Sequence, residues 1–139
     1  SFDSKTLKSL RYEYKTRLRL IQLIGENQWK LSDTDFTYLK TKNGMKEVSK
    51  YADGIGPWMN QVVTGIDYTG KIKTTDLVEN ARRYDLLIHP YTFRKDRLPS
   101  YVSSFEELLK VFFKEVQVDG IFTDFPDLVV DYLAKNPVK

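Results

Sequence analysis

The sequence predicts an α/β fold in which parallel strands alternate with helices. Short, largely apolar runs recur along the 139 residues, and stretches with a helical spacing of apolar side chains stand between them. The apolar runs lack a regular alternation with polar residues, which is typical of strands that are buried on both faces of a parallel sheet. Right-handed crossover helices are the usual connections between such strands. We therefore expect one parallel sheet covered by helices.

The first helix and the first long strand come early in the chain. Asp3 or Ser4 can cap a helix that runs to about Tyr14. The short apolar run at 17–24 then predicts a strand that ends at a glycine. Residues 26–43 are polar with scattered aromatic side chains, and this composition favours a long surface excursion over a core element.

A second unit of helix and strand follows. Residues 45–51 predict a helix that leads directly into a strand at 53–58, and another excursion extends through Gly70. A threonine at 74 or 75 is expected to cap the next helix, with Asp76 in its first turn. The apolar side chains of that helix share one face, which indicates that it covers the sheet.

Two more strands are expected near the end of the chain, at 86–93 and 118–125. Between them, serines at 103 and 104 are each followed three residues later by a glutamate, a capping-box pattern that opens a helix extending to Val116. After the last strand, Pro126 and Asp127 are residue types that favour a helix start. Helices and strands therefore alternate to the end of the chain.

An internal repeat favours a closed barrel over an open sheet. Asp-Gly-Ile opens the strands at 53 and 119, and a proline follows the end of each. A (β/α)8 barrel is expected to repeat such a unit, although a doubly wound sheet could contain it by chance because Asp-Gly is also a common turn. The chain shows about four strands, with Ser1-Phe2 as the stub of one, whereas a closed barrel takes about 250 residues. It is therefore predicted to form about half of a barrel.

The amino-acid composition of the chain excludes several classes of function. The 22 Lys and Arg and 19 Asp and Glu give a formal charge of +3 that is spread along the chain, so no nucleic-acid partner is expected. No stretch approaches the ~18 consecutive apolar residues of a membrane-spanning helix, so no transmembrane segment is expected. The lack of cysteine excludes disulfides and thiol chemistry, but it fits the cytosol and the periplasm equally well.

Residues at the strand ends are the candidates for ligand contact, because parallel α/β folds bind ligands there. Tyr91 and Arg94 end one strand, and Arg94 could donate two hydrogen bonds to a phosphate. Asp124 ends the last strand, where it could orient a ligand or cap the following helix. Lys95 and Arg97 are interpreted as surface charges.

His89 is the only histidine, so neither a histidine-rich metal site nor a pair of acid/base histidines can come from this chain alone. Its position near a strand end leaves two interpretations open, a side chain that faces the site and a hydrogen-bonded histidine beside the core. Trp29 and Trp58 lie beside the excursions. Ligand contact is open for both, but partly buried packing is the commoner role of tryptophan.

Four segments together resemble a known enzyme family. They are Ser1-Phe-Asp3, Ala52-Asp-Gly-Ile-Gly-Pro57, His89-Pro-Tyr-Thr-Phe-Arg94 and Val118-Asp-Gly-Ile-Phe-Thr-Asp-Phe-Pro126. In this order and spacing they resemble the last strands of bacterial glycerophosphodiester phosphodiesterases, especially the periplasmic type. The resemblance covers nearly the whole chain. It implies that residues 1–139 form the C-terminal half of a (β/α)8 barrel, without the N-terminal half.

The resemblance implies hydrolysis of glycerophosphodiesters to sn-glycerol 3-phosphate and an alcohol, in glycerol and phospholipid metabolism, with a periplasmic or secreted location. Such enzymes use two histidines and a divalent metal, usually Ca²⁺ or Mg²⁺, and these groups belong to the half of the domain that has no counterpart here. This segment is then expected to form a wall of the substrate pocket. The contact residues that we expect are Phe2, Tyr91, Arg94, Asp124 and Phe125.

The alternative, from a different class of function, is a non-catalytic binding module that retains the scaffold. An upstream His-Arg and Glu-x-Asp would favour the enzyme, and an initiating methionine close to Ser1 would favour the module. Half a barrel exposes strand edges and apolar faces to water. The partners that we expect are therefore the small-molecule substrate and the other half of the barrel, and the isolated chain is expected to self-associate or aggregate.

Overall fold

The computed structural model describes residues 1–137. In them, the strands are β1 (Ile21–Ile24), β2 (Gly54–Pro57), β3 (Val63–Ile66), β4 (Ile72–Thr74) and β5 (Leu87–Ile88). The α-helices are α1 (Ser4–Tyr12), α2 (Phe36–Leu39), α3 (Lys42–Val48), α4 (Leu77–Arg82), α5 (Phe105–Lys110) and α6 (Pro126–Lys135). Short 3-10 turns cover Asn27–Trp29 and Met59–Gln61, and a π-helical stretch, Val111–Val116, continues α5. Among these residues, no helix is both long and apolar enough to cross a lipid bilayer.

The helix starts confirm two of the predicted caps. The Asp3 carboxylate accepts hydrogen bonds of 3.2 Å from the backbone N–H groups of Lys5 and Thr6, and α1 then ends slightly before the predicted position. At the start of α5, the Ser104 hydroxyl accepts a 3.1 Å hydrogen bond from the N–H of Glu107. These local contacts satisfy N–H groups that have no partner inside the helix.

The parallel sheet follows the order of the chain. β1 pairs with β2 and β2 pairs with β5, both in parallel, so that Gly54 lies between Ile21 and Leu87 in register. A doubly wound open sheet reverses its strand order partway across, whereas a barrel adds each strand beside the one before it. The observed order agrees with the winding of a β/α barrel.

Single residues extend the sheet at both edges. The carbonyl of Ser1 accepts a 2.8 Å hydrogen bond from the Leu23 N–H, as predicted for the stub of a strand. At the other edge, Thr123 forms a parallel bridge with Phe93. The strand predicted at 118–125 is thus reduced to one bridge, because the Asp119 carboxylate, and not a backbone carbonyl, accepts the 2.8 Å hydrogen bond from the N–H of Ile88.

The core lies between the sheet and the helices. Ile24, Ile55 and Ile88 project from three adjacent strands into one buried cluster and have no exposed surface. The buried amide of Gln22 lies within this layer and is satisfied by the Tyr51 hydroxyl, which donates a 2.9 Å hydrogen bond to it. The strands read as continuous apolar runs because apolar side chains occupy both this side and the opposite side of the sheet.

Alternate side chains of the same strands point away from the helices. Ile21, Leu23 and Leu87 lie on this opposite side, which we call the inner face, and they remain half-buried. His89 continues the alternation from Leu87, and its ring packs edge-on against the ring of Phe122 with centroids 6.4 Å apart. The inner face is therefore the less covered side of the sheet.

The interpretation of residues 26–43 as a surface excursion is wrong for α2. Phe36 and Leu39 on this helix are only 1% and 4% exposed, so the segment contributes to the core. Asp35 starts the helix by accepting a 3.1 Å hydrogen bond from the Tyr38 N–H. One helical turn contains too few residues to show a periodic apolar pattern, which is why the sequence did not predict it.

The excursion through Gly70 is a β-hairpin. β3 and β4 pair in antiparallel fashion, and Gly70 adopts a φ of 84°, which favours glycine at the turn. The Asp67 carboxylate closes the turn by accepting hydrogen bonds of 2.8 and 3.0 Å from the N–H groups of Thr69 and Lys71. Tyr68 at the tip is fully exposed. Because the hairpin packs little apolar surface, its sequence shows no clear strand pattern.

We expect Gly44→Ala to destabilise the fold strongly. A Cβ at this buried position in α3 would lie 2.7 Å from the carbonyl oxygen of Leu39 and would also meet the carbonyl of Tyr38. Backbone atoms cannot move aside as side chains do, so the free energy of unfolding should fall by about 3 kcal/mol.

Asn43→Ala is the matched control, because Asn43 is exposed on the same helix and alanine has the higher helix propensity. Denaturant titration of the full-length protein would compare the two variants. Unchanged or increased stability of Gly44→Ala would contradict the close approach of α2 to α3.

Candidate functional site

A cavity of about 580 Å³ opens at the carboxyl ends of the parallel strands. Its lining comes from residues that follow β1, β2 and β5 in the chain. Parallel α/β folds bind ligands at this end of the sheet. The lining includes Trp29, Trp58, Tyr91, Arg94, Arg97 and Asp124. Three of the predicted contact residues, Tyr91, Arg94 and Asp124, therefore lie together.

Tyr91 is held in the cavity wall by several contacts. It forms a parallel bridge with Trp58, and its hydroxyl donates a 2.7 Å hydrogen bond to the carbonyl of Ile24. The Phe2 ring packs edge-on against it, with ring centroids 5.8 Å apart. Burial, with a smaller contribution from the Glu26 carboxylate, raises the pKa of Tyr91 well above its ordinary value. The hydroxyl therefore stays protonated and keeps donating at neutral pH.

A buried glutamine joins the ends of β1 and β2 behind this wall. Gln61 accepts a 3.0 Å hydrogen bond from the backbone N–H of Trp58 and donates to the carbonyl of Gly25 at 2.9 Å and to the Glu26 carboxylate at 2.7 Å. Trp58 in turn packs against Trp29, with ring centroids 5.3 Å apart. Gln61 thus fixes the tryptophan side of the cavity. No sequence motif indicates this role, because its partners are mostly backbone atoms.

The carboxylate of Glu26 accepts hydrogen bonds in the same network. Lys40 donates hydrogen bonds of 2.9 and 2.8 Å to its two oxygens. Burial alone would raise the pKa of Glu26, but the hydrogen bond from Gln61 and the charge of Lys40 together outweigh it and lower the pKa. Because the folded pKa is depressed, the contribution of this carboxylate to stability is present at neutral pH and is lost as the pH falls through that lower pKa.

Arg94 is already paired at the rim of the cavity. Its Nε and Nη2 donate to the two Asp96 oxygens at 3.0 and 2.8 Å, and its Nη1 donates to Asp124 at 2.6 Å. The hydrogen bond and charge of Asp96, followed by those of Asp124, raise the pKa of Arg94. Asp96 therefore occupies the edge of the guanidinium that could bind a phosphate through two hydrogen bonds. Asp124 orients Arg94 and does not cap α6.

Arg97 is exposed, as expected for a surface charge, and its side chain also lines the cavity. It takes part in none of the salt bridges formed within residues 1–137. Its charge is thus more accessible to an anionic ligand than the charge of Arg94.

Phe2 and Phe125 lie behind the cavity and not in its lining. Phe2 packs between Tyr91 and Phe36, and its ring centroid is 6.2 Å from that of Phe36. Phe125 packs against Phe105, with centroids 6.1 Å apart. The structure therefore does not bring these two predicted contact residues into the cavity, because neighbouring aromatic rings cover them.

His89 lies on the inner face and is absent from the cavity lining. Its ring is so close to the backbone of Gly120 that a Cβ there would be 3.0 Å from Nε2. Burial lowers the pKa of His89, with the Asp119 carboxylate acting in the opposite direction. The imidazole is therefore expected to be neutral at pH 7.

Ligand contact was left open for the two tryptophans, and the structure places both in the cavity lining. Trp58 directly follows β2, as Tyr91 closely follows β5, and both line the cavity. This shared position at a strand end was a usable signal. Trp29 had no such signal, because it reaches the cavity through a 3-10 turn whose path the sequence does not show.

The described residues do not fit a divalent metal ion. Among residues 1–137, no group of three or more His, Cys, Asp or Glu side chains could hold one. The carboxylates in and beside the cavity wall are paired with cations, Glu26 with Lys40, and Asp96 and Asp124 with Arg94.

Known proteins similar to this chain share one description. Residues 1–128 match the glycerophosphoryl diester phosphodiesterase family. A glycerophosphodiester phosphodiesterase of Haemophilus influenzae is 32% identical over 96% of this chain and 41% of its own length, and one of Treponema pallidum is 28% identical over 97% and 42%. One of Arabidopsis thaliana is 29% identical over 76% of this chain and 30% of its own length. This chain spans about two fifths of the first two relatives. Because the family match covers most of it, the chain belongs to the glycerophosphoryl diester phosphodiesterase family.

Proposed function

We propose that this segment forms one wall of the substrate pocket of a glycerophosphodiester phosphodiesterase. The complete protein would hydrolyse glycerophosphodiesters to sn-glycerol 3-phosphate and an alcohol. The observation that carries the proposal is a cavity at the carboxyl ends of the strands, in a chain whose residues 1–128 match this family. Enzymes with the β/α barrel fold carry their active sites at that end.

The cavity wall offers two kinds of contact to such a substrate. The rings of Trp29, Trp58 and Tyr91 present apolar surface that suits the carbon atoms of glycerol and of the alcohol group. Arg97 presents a positive charge that suits the phosphate. We propose that this pairing orients the phosphodiester across the wall.

The remaining predicted residues have more limited roles in this proposal. Arg94 and Asp124 contact the substrate at the rim as part of a preformed ion cluster, in which Asp96 and Asp124 together neutralise the charge of Arg94. Phe2 acts through Tyr91 by fixing its ring, and Phe125 acts from behind the rim. These assignments rest on distance from the cavity and on the partners of each side chain.

We propose that the acid/base histidines and a Ca²⁺ or Mg²⁺ ion are supplied by residues outside this segment. The single histidine of the chain and the paired state of Glu26 and Asp124 support this assignment. A periplasmic or secreted location and a role in glycerol and phospholipid metabolism complete the proposal, on the basis of the resemblance to the periplasmic type. Cell fractionation would test the location.

In the full-length protein, Tyr91→Ala is expected to lower kcat/KM for glycerophosphocholine by at least about tenfold, because it removes an aromatic wall of the cavity. Tyr91→Phe should cost less, since it keeps the ring and loses only the hydrogen bond to Ile24. Tyr38→Ala is the control, because Tyr38 is exposed and lies outside the cavity lining.

Steady-state kinetics on the three variants would test the proposal, with thermal melting to confirm that each variant folds. A loss in Tyr38→Ala as large as that in Tyr91→Ala would show that the substrate does not bind against the strand ends.

A further inference from the structure

A second surface, remote from the cavity, combines positive charge with exposed apolar side chains. It consists of residues 12–19, which connect α1 to β1, together with Lys46 of α3 and Lys50 in the turn after α3, and we call it the basic face. We propose that the basic face attaches the protein to membranes that contain anionic phospholipids. This inference rests on the fold and not on the proposed enzymatic activity.

The connection in the basic face is held in one conformation. The Arg11 guanidinium donates hydrogen bonds to the carbonyls of Thr16 at 2.9 Å and Tyr51 at 3.0 Å and to the Asp53 carboxylate at 2.6 Å. The N–H of Tyr14 donates a further 3.1 Å hydrogen bond to the carbonyl of Ser9. The outward direction of its apolar side chains is therefore fixed by the fold.

The apolar side chains on this connection are unusually open to water. Tyr14 is 76% exposed and Leu18 is 75% exposed, and Tyr12 beside them is 55% exposed. Tyrosine is enriched where proteins meet the lipid–water interface, because its ring is apolar and its hydroxyl is polar. A leucine between charged neighbours can insert its side chain into the same layer.

The charge of the basic face matches an anionic surface. Its basic side chains outnumber its single carboxylate, Glu13, by five to one. They are Lys15, Arg17, Arg19, Lys46 and Lys50, all exposed. The neighbouring pairs Lys8–Glu47 and Arg11–Asp53 cancel their own charges. The net charge of the basic face is thus larger than the +3 of the whole chain. The remaining residues together therefore carry no net positive charge.

A cleft beside the connection gives a lipid head group a place to bind. Tyr12 donates a 3.1 Å hydrogen bond to the carbonyl of Lys50 and so joins the end of α1 to the turn after α3. Lys46 and Lys50 line the adjoining cleft, which has a volume of about 580 Å³ and lies between α1 and α3. Lysine ammonium groups in a cleft of this size can contact a phosphate while the tyrosine and leucine side chains enter the interface.

The position of the basic face determines how a bound protein would be oriented. Residues 12–19 lead into β1 and lie at the amino ends of the strands, whereas the cavity opens at their carboxyl ends. Attachment through the basic face would therefore turn the cavity away from the bilayer, toward ligands dissolved in water.

Vesicle sedimentation of the full-length protein tests the proposal. We expect binding to vesicles of phosphatidylcholine mixed with phosphatidylglycerol, roughly tenfold weaker binding to phosphatidylcholine alone, and weakening of the former by salt. Lys46→Gln with Lys50→Gln should reduce binding to the mixed vesicles by about tenfold, and Tyr14→Ser with Leu18→Ser should also reduce it.

The hairpin formed by β3 and β4 supplies a matched control. Tyr68→Ser with Lys71→Gln and Lys73→Gln removes an exposed tyrosine and two exposed lysines from the cavity end of the molecule. This control should bind vesicles as the unmodified protein does. All the substituted side chains are exposed, so melting temperatures should be unchanged.

Three results would overturn the proposal. One is a lack of binding to either kind of vesicle. Another is equal binding by the basic-face variants and the hairpin control. The third is burial of residues 12–19 by another part of the full-length protein, which protection of Tyr14 from chemical modification in the absence of lipid would reveal.

Discussion

The isolated 139-residue chain is expected to release no sn-glycerol 3-phosphate from glycerophosphocholine. The proposed hydrolysis needs one group that gives a proton and another that takes one, and this chain has a single histidine, His89. That ring is packed against Gly120 and Phe122 on the inner face, outside the cavity lining. The expected rate with the isolated chain is therefore that of the uncatalysed reaction, with or without added Ca²⁺ or Mg²⁺.

Enzymatic detection of glycerol 3-phosphate would measure this, with the full-length protein as the positive control. The isolated chain carrying Tyr91→Ala, purified in the same way, separates activity of the chain from a contaminating enzyme. Metal-dependent release by the isolated chain that disappears in the Tyr91→Ala chain would show that these residues catalyse the reaction alone. The assignment of catalysis to residues outside the segment would then be wrong.

The fold class was predictable because the helix caps and the apolar runs of the sequence indicated the same alternation of helices and strands. Asp3 and Ser104 are the caps that the sequence indicated, and the strands β1, β2 and β5 fall inside the predicted runs. The observed strands are shorter than those runs, because apolar residues continue past the ladder into buried connections. The strand order, which the sequence left open between a barrel and an open sheet, was resolved by pairing between distant residues. With the family membership, that order confirms the barrel fold.

The site was predictable only where a residue's position in the chain determines its position in space. Tyr91, Arg94 and Asp124 end strands, and the parallel sheet brings such ends together at one edge. The sequence could not show that Asp96 would accept hydrogen bonds from Arg94, or that Gln61 would connect two strand ends. Both depend on contacts that form only in the folded protein. Phe2 was expected in the cavity, but Tyr91 stands in front of it.

Self-association of the isolated chain is the second large effect that we expect. On the inner face, Ile21, Leu23 and Leu87 are only half-buried, and Phe122 is 42% exposed. At the sheet edges, Ser1 and Thr123 each have a strand neighbour on one side among the described residues. Exposed apolar faces and unpaired strand edges both favour association with another chain. The apolar runs at 18–24 and 86–88 are partly covered, because Leu20, Ile24 and Ile88 turn into the helix layer.

Sedimentation equilibrium on the isolated chain would measure this association, and Phe122→Ser tests its cause. Phe122 lies on the inner face, so its removal should weaken association by about tenfold, as expected for the loss of roughly half a buried aromatic side chain. Val130→Ser is the matched control, since Val130 is 65% exposed on α6, away from the inner face, and its removal should leave association unchanged. Equal effects of the two substitutions would mean that association uses another surface. A compact monomer with a cooperative melt would show instead that these residues close a core without any partner, and the half-barrel interpretation would have to be abandoned.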